Sequence, residues 1–298
     1  MSGCTDCDCG AIPWKINPNI VNLQKQYPQK FYLNHRALWL NDSTLFAVSY
    51  PFARIVINKD FLIARYEKIS DEFCGDIAFN PANDRIILST FKEYDLNTCK
   101  IEEIDTFEVA SAMYYKGNDT IIYGTSLGEY YMYNRYTKES EYICSGTYRK
   151  IESLYSMNGF DIHPQQNKLL ISVDGKDKTV LMVEYDMDIK QADTLDILFP
   201  TESAVWFRYN KTGDKILYAV CVDKHSFVDS EIGIIDIVTM QKRVLDVNTS
   251  TIVYGSVNIN PEWSPDERHI VYTSYRYALC FGGLSDVPDL CILKNINQ

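Results

Sequence analysis

The chain has 298 residues, of which 46% are hydrophobic, so it is long enough to bury a substantial core. Its net charge of −11 repels phosphate backbones and argues against nucleic acid as a partner. No stretch approaches the ~18–20 consecutive apolar residues of a membrane-spanning helix, and the 22 tyrosines favour strands.

The first ten residues hold three of the nine cysteines and no apolar signal segment. Ser2-Gly3-Cys4 matches the last three residues of a bacterial lipobox, in which the cysteine receives the lipid. If Met1 was added to a trimmed sequence, Cys4 is the lipidated residue and 1–11 form a flexible tether. The alternative is a cytoplasmic protein with an unusual cysteine-rich start. No second cysteine or histidine pair completes a zinc site, so we expect no metal there.

From about residue 35 one pattern recurs: a hydrophobic strand, a polar turn and a second hydrophobic strand. Proline, asparagine, aspartate and glycine in these turns preset or tolerate a tight backbone. The first apolar residue after each turn marks a second strand, and these markers are Leu45, Ile86, Ile121, Leu169, Ile216 and Ile270. Their spacing of 35 to 54 residues is near the ~40–50 residues of a propeller blade. Six markers therefore predict six blades.

A second hairpin follows in most units, so each unit predicts one four-stranded antiparallel blade. Its first strand ends in an acidic or amide residue, as in Tyr94-Asp95, Tyr133-Asn134 and Tyr185-Asp186. The last unit lacks a fourth strand. We expect a segment within 12–23 to supply it, because pairing there closes the ring and covers an exposed edge. Residues 12–298 then form a single propeller domain.

Two connections are read as the longest loops, from Val222 to Glu231 and from Tyr275 to Asp289. Loops on a rigid scaffold carry binding residues, and aromatic residues with an arginine suit an interaction hot spot. The candidate binding residues of the second loop are Tyr275, Arg276, Tyr277 and Phe281. The alternative is that this loop packs on its own blade.

Trp263-Ser264-Pro265-Asp266-Glu267 resembles the Trp-Ser-Pro-Asp-Gly repeat of TolB-type propellers, with Glu267 in place of the usual glycine. Asn80-Pro81 and His163-Pro164 are degenerate copies. The composition and the lipobox-like start resemble the TolB-like propeller lipoproteins of Bacteroidetes, which mostly lack an assigned activity. The resemblance implies an all-β, six-bladed propeller with a binding role, and fold alone does not identify a partner.

The motifs yield no catalytic residue. Gly124-Thr125-Ser126-Leu127-Gly128 matches a nucleophile elbow, but its strand-like flanks predict a hairpin linker. The segment 172–179 is similar to a sialidase Asp-box, although its glycine comes one residue early and no tryptophan follows. The four histidines have no metal-ligand spacing, and the turns explain His163 and His269.

The remaining cysteines favour buried free thiols over a disulfide framework. Those in apolar strand contexts are Cys74, Cys99, Cys144 and Cys221. Cys280 and Cys291 could bridge a loop within one hairpin.

The sequence therefore predicts a monomeric, non-enzymatic binding propeller without a cofactor, placed at the periplasm or cell surface by lipid on Cys4. It would engage a protein or glycan through loops at one end of the ring. The alternative is a metal-dependent hydrolase or lactonase with ligands from several blades in the central channel. A sugar-recognition module would instead show exposed aromatic residues in a groove at one end of the ring.

Overall fold

The structure is a computed structural model of the chain, and the residues it describes share a nearly all-β organisation. They are residues 17–23, 26, 36–48, 52–71, 76–80, 84–105, 112–117, 119–125, 127–146, 160–174, 179–199, 203–223, 228–248, 254–278 and 288–297. Within these ranges no helix is long and apolar enough to cross a membrane.

The described strands form six four-stranded antiparallel sheets, each of which is one blade. Blade 1 contains β2 (Arg36–Asn41), β3 (Thr44–Val48), β4 (Phe52–Ile57) and β5 (Ile63–Ser70). Blade 2 contains β6 (Ile77–Asn80), β7 (Arg85–Leu88), β8 (Lys92–Asp95) and β9 (Lys100–Glu103). Blade 3 contains β10 (Ala112–Lys116), β11 (Thr120–Gly124), β12 (Glu129–Asn134) and β13 (Glu139–Ser145).

Blade 4 contains β14 (Asp161–Ile162), β15 (Lys168–Asp174), β16 (Val180–Asp186) and β17 (Gln191–Phe199). Blade 5 contains β18 (Ser203–Tyr209), β19 (Lys215–Asp223), β20 (Val228–Asp236) and β21 (Lys242–Asn248). Blade 6 contains β22 (Tyr254–Trp263), β23 (Ile270–Ala278), β24 (Pro288–Leu293) and, at its outer edge, β1 (Ile20–Asn22).

The N-terminal strand closes the ring, as the sequence predicted. Ile20 to Asn22 pair antiparallel with Leu293 to Cys291. The Lys294 amide donates to Asn19 O at 2.9 Å and the Leu23 amide donates to Leu290 O at 2.8 Å, so the pairing continues at both ends of β1. The edge that blade 6 would otherwise expose is covered in this way.

The blades pack radially, and the core lies between them. Each of six buried hydrophobic clusters of the described residues joins two neighbouring blades, including blade 6 with blade 1. Adjacent residues of a second strand serve opposite junctions, because side chains of a strand alternate between its two faces. Phe46 packs toward blade 2, for example, while Leu45 packs toward blade 6. Both faces of these strands are buried, which explains their nearly continuous apolar runs.

All six marker residues of the sequence pattern are fully buried in the second strand of their blade. The acidic or amide residue before each outer turn also has a clear role. Asp95 Oδ1 accepts the amides of Asn97 and Thr98 at 2.8 and 2.9 Å, and Asn134 Oδ1 accepts those of two following residues in the same way. These bonds hold the tight turn that starts the fourth strand.

Candidate functional site

The described residues correct the two predicted loops. β19 runs to Asp223 and β20 begins at Val228, and β23 runs to Ala278 while β24 begins at Pro288. The prediction was wrong about 222–223, 228–231, 275–278 and 288–289, because valine and tyrosine in these segments continue the strands.

The predicted binding residues Tyr275, Arg276 and Tyr277 therefore lie on a strand. Their backbones are paired with Val257, Ser256 and Gly255 of β22. Phe281 and the predicted lipidation residue Cys4 lie outside the described residues, as does the tether 1–11.

The hairpins of blades 5 and 6 are longer than those of the first three blades. β19 ends seven residues past its marker Ile216, and β23 ends eight residues past Ile270. β3, β7 and β11 end only two or three residues past theirs. At about 3.3 Å per residue, the additional residues lengthen each hairpin by about 15 Å. Blades 5 and 6 therefore project at the end of the ring where second and third strands connect.

Buried polar residues lie at the base of these long hairpins. Asn258 of β22 is fully buried, and neither atom of its side-chain amide has a hydrogen-bond partner among the described residues. The backbone of Asn258 is satisfied. Its amide donates to Ser230 Oγ at 3.1 Å, and its carbonyl accepts a hydrogen bond from Cys221 Sγ at 3.5 Å. Ser274 and Asp289 follow Asn258 in register across the blade. An unsatisfied buried amide is rare in a native protein and points to a site with a role beyond packing.

A second polar group, the axial ion cluster, joins the first strands of the blades. It consists of Arg36, Asp76, Arg208 and Glu262, from blades 1, 2, 5 and 6. Arg36 Nη1 lies 2.8 Å from Asp76 Oδ1 and its Nη2 lies 2.9 Å from Glu262 Oε2, while Arg208 Nε lies 3.1 Å from the same Glu262 oxygen. The two positive and two negative charges balance, so the cluster forms a chain of ion pairs near the ring axis.

Asp161, the first residue of β14, adds a carboxylate from blade 4. Its Oδ2 accepts the Tyr209 amide at 2.6 Å and its Oδ1 accepts the Ile162 amide at 2.9 Å. Burial raises the pKa of Asp161 to about 6, against the opposing effect of the nearby Arg208 charge. Arg208 Nη1 also donates to the carbonyls of Phe160 and Phe207, at 3.0 and 2.7 Å.

Sequence reasoning missed these five residues, although a signal for them exists. Each is an ionisable residue inside or beside an apolar first strand, where the repeat expects hydrophobic side chains. Such a residue recurring in several units would have predicted a shared polar centre at the axis.

Two axial carboxylates of the described residues are engaged by arginines. Asp76 and Glu262 already accept hydrogen bonds from arginines, and no three histidine, cysteine, aspartate or glutamate side chains of the described residues come together to hold an ion. This arrangement gives no support to the alternative hydrolase, which needs carboxylates free for a divalent ion.

The weaker motif interpretations have structural explanations. Gly124 ends β11 and Glu129 begins β12, and the Thr125 amide donates to Glu129 O at 2.9 Å, so this segment connects a hairpin. Of the segment 172–179, residues 172–174 are the end of β15 and Thr179 immediately precedes β16. His163 lies in a turn, where its Nδ1 accepts the amides of Gln165 and Gln166 at 3.1 Å.

The prediction of buried cysteines in strands is correct for some of the described cysteines and wrong for Cys99. Cys221 is buried and Cys144 is half-buried. Cys99 is exposed in a turn rather than buried in a strand, because Asp95 ends the strand earlier. Cys291 is buried in β24, while Cys74 and Cys280 lie outside the described residues.

A polar groove opens where the ring closes, between blades 6 and 1. It has a volume of about 790 Å³ and is lined by the turns that hold Asp42, Phe61 and His269. The rings of Phe61 and His269 meet edge to face with centroids 4.7 Å apart. His269 Nδ1 accepts the Asn295 amide at 3.3 Å, and burial lowers the pKa of His269, so its imidazole is neutral at pH 7.

No family model matches the sequence, and no curated protein matches it. Among solved structures, TolB from Acinetobacter baumannii is similar, with a TM-score of 0.56 and 16% identity over 82% of this chain and 60% of that chain. An auxiliary nutrient binding protein from Bacteroides thetaiotaomicron is also similar, with a TM-score of 0.54 and 11% identity over 81% of this chain and 66% of that chain.

The chain thus spans less than two thirds of the length of either structure. At these identities the similarity shows the fold alone. The fold is a TolB-like six-bladed β-propeller, as the repeat indicated.

Proposed function

We propose that this chain is a non-enzymatic binding propeller of the cell envelope, which holds a protein or glycan partner on the long hairpins of blades 5 and 6. The observation that carries the proposal is the length of these hairpins. Tyr275, Arg276 and Tyr277 lie in the part of β23 that exceeds the second strands of blades 1 to 3. Tyrosine and arginine are enriched at the centres of interfaces, and Phe281 in the following connection joins them in the proposed surface.

The buried amide of Asn258 supports a binding role for the same end of the ring. Leaving a buried polar group without a partner costs roughly 1–3 kcal/mol. Proteins keep such a cost mainly at functional sites, where a bound group or a rearrangement satisfies the unpaired atoms. Asn258 lies at the base of the hairpins, so a partner that separates them slightly reaches it.

The similar structures and the axial cluster support binding rather than hydrolysis. One of the two similar proteins is described as a nutrient binding protein. In this chain Asp76 and Glu262 are paired with Arg36 and Arg208, and no three potential metal ligands of the described residues come together.

The proposed envelope location depends on Cys4 as the lipidated residue. Metabolic labelling with a radioactive fatty acid in a host that carries the natural gene tests it. We expect label on the wild-type protein and none on Cys4→Ala. Equal labelling of both would exclude Cys4 as the lipidated residue, and no label on either would favour the cytoplasmic alternative.

Site-specific photocrosslinking tests the binding surface. A photoreactive amino acid in place of Arg276 should crosslink a defined partner in cells, whereas the same group in place of the exposed Glu139 on β13 should not. Purified partner should then bind Tyr275→Ala and Tyr277→Ala at least about tenfold more weakly than wild type.

Three results would contradict this function. Crosslinking at position 139 as strong as at 276 would show that the partner does not prefer the surface of blades 5 and 6. Unchanged affinity of both tyrosine variants would place the partner elsewhere. Metal-dependent hydrolysis of a lactone by the purified chain would support the enzyme instead.

A further inference from the structure

One position of the repeat joins several blades to the next blade through its side chain. It lies where the first strand ends and is linked across the turn to the residue five positions later. Asn80 of blade 2 donates to Gly117 O of blade 3 at 3.4 Å. Asn210 of blade 5 donates to Glu267 Oε2 of blade 6 at 3.5 Å. Blade 4 has His163 at this position, so its contact with blade 5 contains a group that titrates near neutral pH.

The ring of His163 is enclosed by the turn of its own blade and by blade 5. The residue is buried, and a Cβ atom on Gly213 would lie 2.4 Å from its Cε1 and Nε2 atoms. Tyr209 contacts the ring edge to face, with centroids 4.9 Å apart. Blade 5 therefore packs directly on the imidazole. Glycine at position 213, where φ is 78°, leaves the space that the ring fills.

The hydrogen bonds of His163 define which ring nitrogen carries the proton. Nδ1 accepts the amides of Gln165 and Gln166, both at 3.1 Å. A nitrogen that accepts carries no proton, so the proton of the neutral ring is on Nε2, the atom beside Gly213. A second proton has to go to Nδ1. It would turn the acceptor into a donor that faces two N–H groups, and both hydrogen bonds would be lost.

The charged groups near the ring do not offset the loss of these bonds. Glu184 is the carboxylate that favours a protonated ring, but Lys168 binds it at 2.9 Å and the Tyr209 hydroxyl donates to it at 2.5 Å. Burial lowers the pKa of His163, and the positive charge of Lys168 acts in the same direction. Glu184 and the backbone of Gly213 oppose this shift of the pKa without reversing it.

Two further carboxylates lie on the elements that pack around the histidine. Asp161 on β14 accepts a backbone amide of blade 5 at 2.6 Å. Asp214 in the turn of blade 5 accepts the side-chain amide of Asn210 at 2.7 Å. The other charged residues of that turn are Lys211 and Lys215, and their charges are positive. Both carboxylates have hydrogen-bond donors of their own, so the fold favours the neutral ring.

We propose that the junction between blades 4 and 5 is an acid-sensitive contact, held by neutral His163 and loosened when its imidazole takes up a proton. Protonation detaches the ring from the amides of its own turn and places a charge against Gly213 of blade 5. The chain already contains versions of this contact that do not titrate, at Asn80 and Asn210. The inference is independent of the partner surface proposed for the long hairpins.

Urea unfolding of the wild type and of His163→Asn tests the proposal, because asparagine keeps a side-chain acceptor and does not titrate. A histidine of the unfolded chain has a pKa of about 6.5. The wild type should therefore lose stability relative to the variant as the pH falls below that value. Between pH 8 and pH 5 the unfolding equilibrium constant should rise at least about threefold more for the wild type, with an upper limit of about 30-fold.

Hydrogen exchange followed by mass spectrometry locates the change in the ring. After correction for intrinsic rates, wild-type segments 163–168 and 210–215 should exchange at least about threefold faster at pH 5 than at pH 7.5. The same segments of His163→Asn should not. His269→Asn is the matched control, because it removes a half-buried histidine at the junction of blades 6 and 1. It should keep the acid response of both segments.

NMR of the wild-type imidazole tests the same proposal without a substitution. At pH 7.5 the ring proton of His163 should be on Nε2, and the ring should titrate below pH 6.5. A proton on Nδ1 at pH 7.5 would contradict the hydrogen bonds on which the proposal depends. Equal pH dependence of unfolding in the wild type and His163→Asn, or equal exchange of segment 163–168 at pH 5, would overturn the acid-sensitive contact.

Discussion

At the scale of single residues, Glu267 shows how this chain departs from the repeat that it resembles. The residue has a φ of 57°, in the left-handed region where the motif usually has glycine. A side chain in this conformation costs roughly 1–2 kcal/mol. In return, Glu267 Oε1 accepts the Lys211 amide of blade 5 at 2.8 Å. Glutamate at this position therefore adds backbone strain in blade 6 and gains a hydrogen bond to blade 5.

Asp161 carries the prediction at this scale. Because its pKa is about 6 in the folded chain and near 3.8 in the unfolded chain, the folded chain binds the proton more tightly. Its contribution to stability is complete below pH 4 and is lost as the pH rises to 6. Urea unfolding should show that the wild type loses about 2 kcal/mol more than Asp161→Asn between pH 4 and pH 6.

Parallel pH profiles for the two proteins would contradict this account of Asp161. The range above pH 7 is the internal control. There the difference in free energy of unfolding between the wild type and Asp161→Asn should no longer change with pH.

The residue scale also shows what the sequence could and could not predict. The buried markers such as Ile86 were predictable, because a local turn followed by an apolar run needs no knowledge of the rest of the fold. The pairing of Arg36 with Glu262 was not predictable, because these residues are 226 positions apart and meet only when the ring closes. The lining of the groove between blades 6 and 1 likewise depends on how neighbouring blades face each other.

At the scale of elements, the strand ends were harder to predict than the strands. Tyr275 to Ala278 were interpreted as part of a long loop that runs to Asp289. In the structure the backbone pairing of β23 with β22 continues through them. The closing strand was easier to predict, since a last unit with three strands leaves an edge that an early segment must cover.

Val21 tests the closing strand. Val21 is in register with Ile292, midway between the hydrogen bonds made by Asn19 and Leu23. Because hydrogen-bonded pairs of an antiparallel ladder recur every second residue, the N–H of Val21 also bonds to β24. Val21→Pro removes that N–H and should lower the free energy of unfolding by at least about 2 kcal/mol. Guanidinium unfolding measures the change.

Val21→Thr is the matched control, because it keeps the N–H and the branched shape at a half-buried position. If both variants unfolded at the same guanidinium concentration, hydrogen bonding by β1 would not contribute to closure.

At the scale of the whole molecule, the axial ion cluster connects blades that share no strand pairing. Arg208→Met leaves Glu262 with Arg36 alone and should destabilise the ring by about 3–5 kcal/mol, as expected when one partner of a buried ion pair is removed. Adding Glu262→Gln should cost less than the sum of the two single changes, since the charges are coupled.

Thermal or chemical unfolding of the three variants gives these energies. Arg243→Met, an exposed arginine on β21, should change stability by no more than about 0.5 kcal/mol. Strict additivity of the Arg208 and Glu262 changes would mean that the cluster does not act as a unit.

The pairing of β1 with β24 also orders events during synthesis of the protein. The ribosome makes β1 before every other strand of the ring and β24 after all of them. Blades 1 to 5 can form as they emerge, but the face of blade 1 that carries Leu45 and Ile55 has no neighbour until blade 6 is complete. A nascent chain therefore keeps this apolar face open to chaperones, or to other nascent chains, for almost the whole time of its translation.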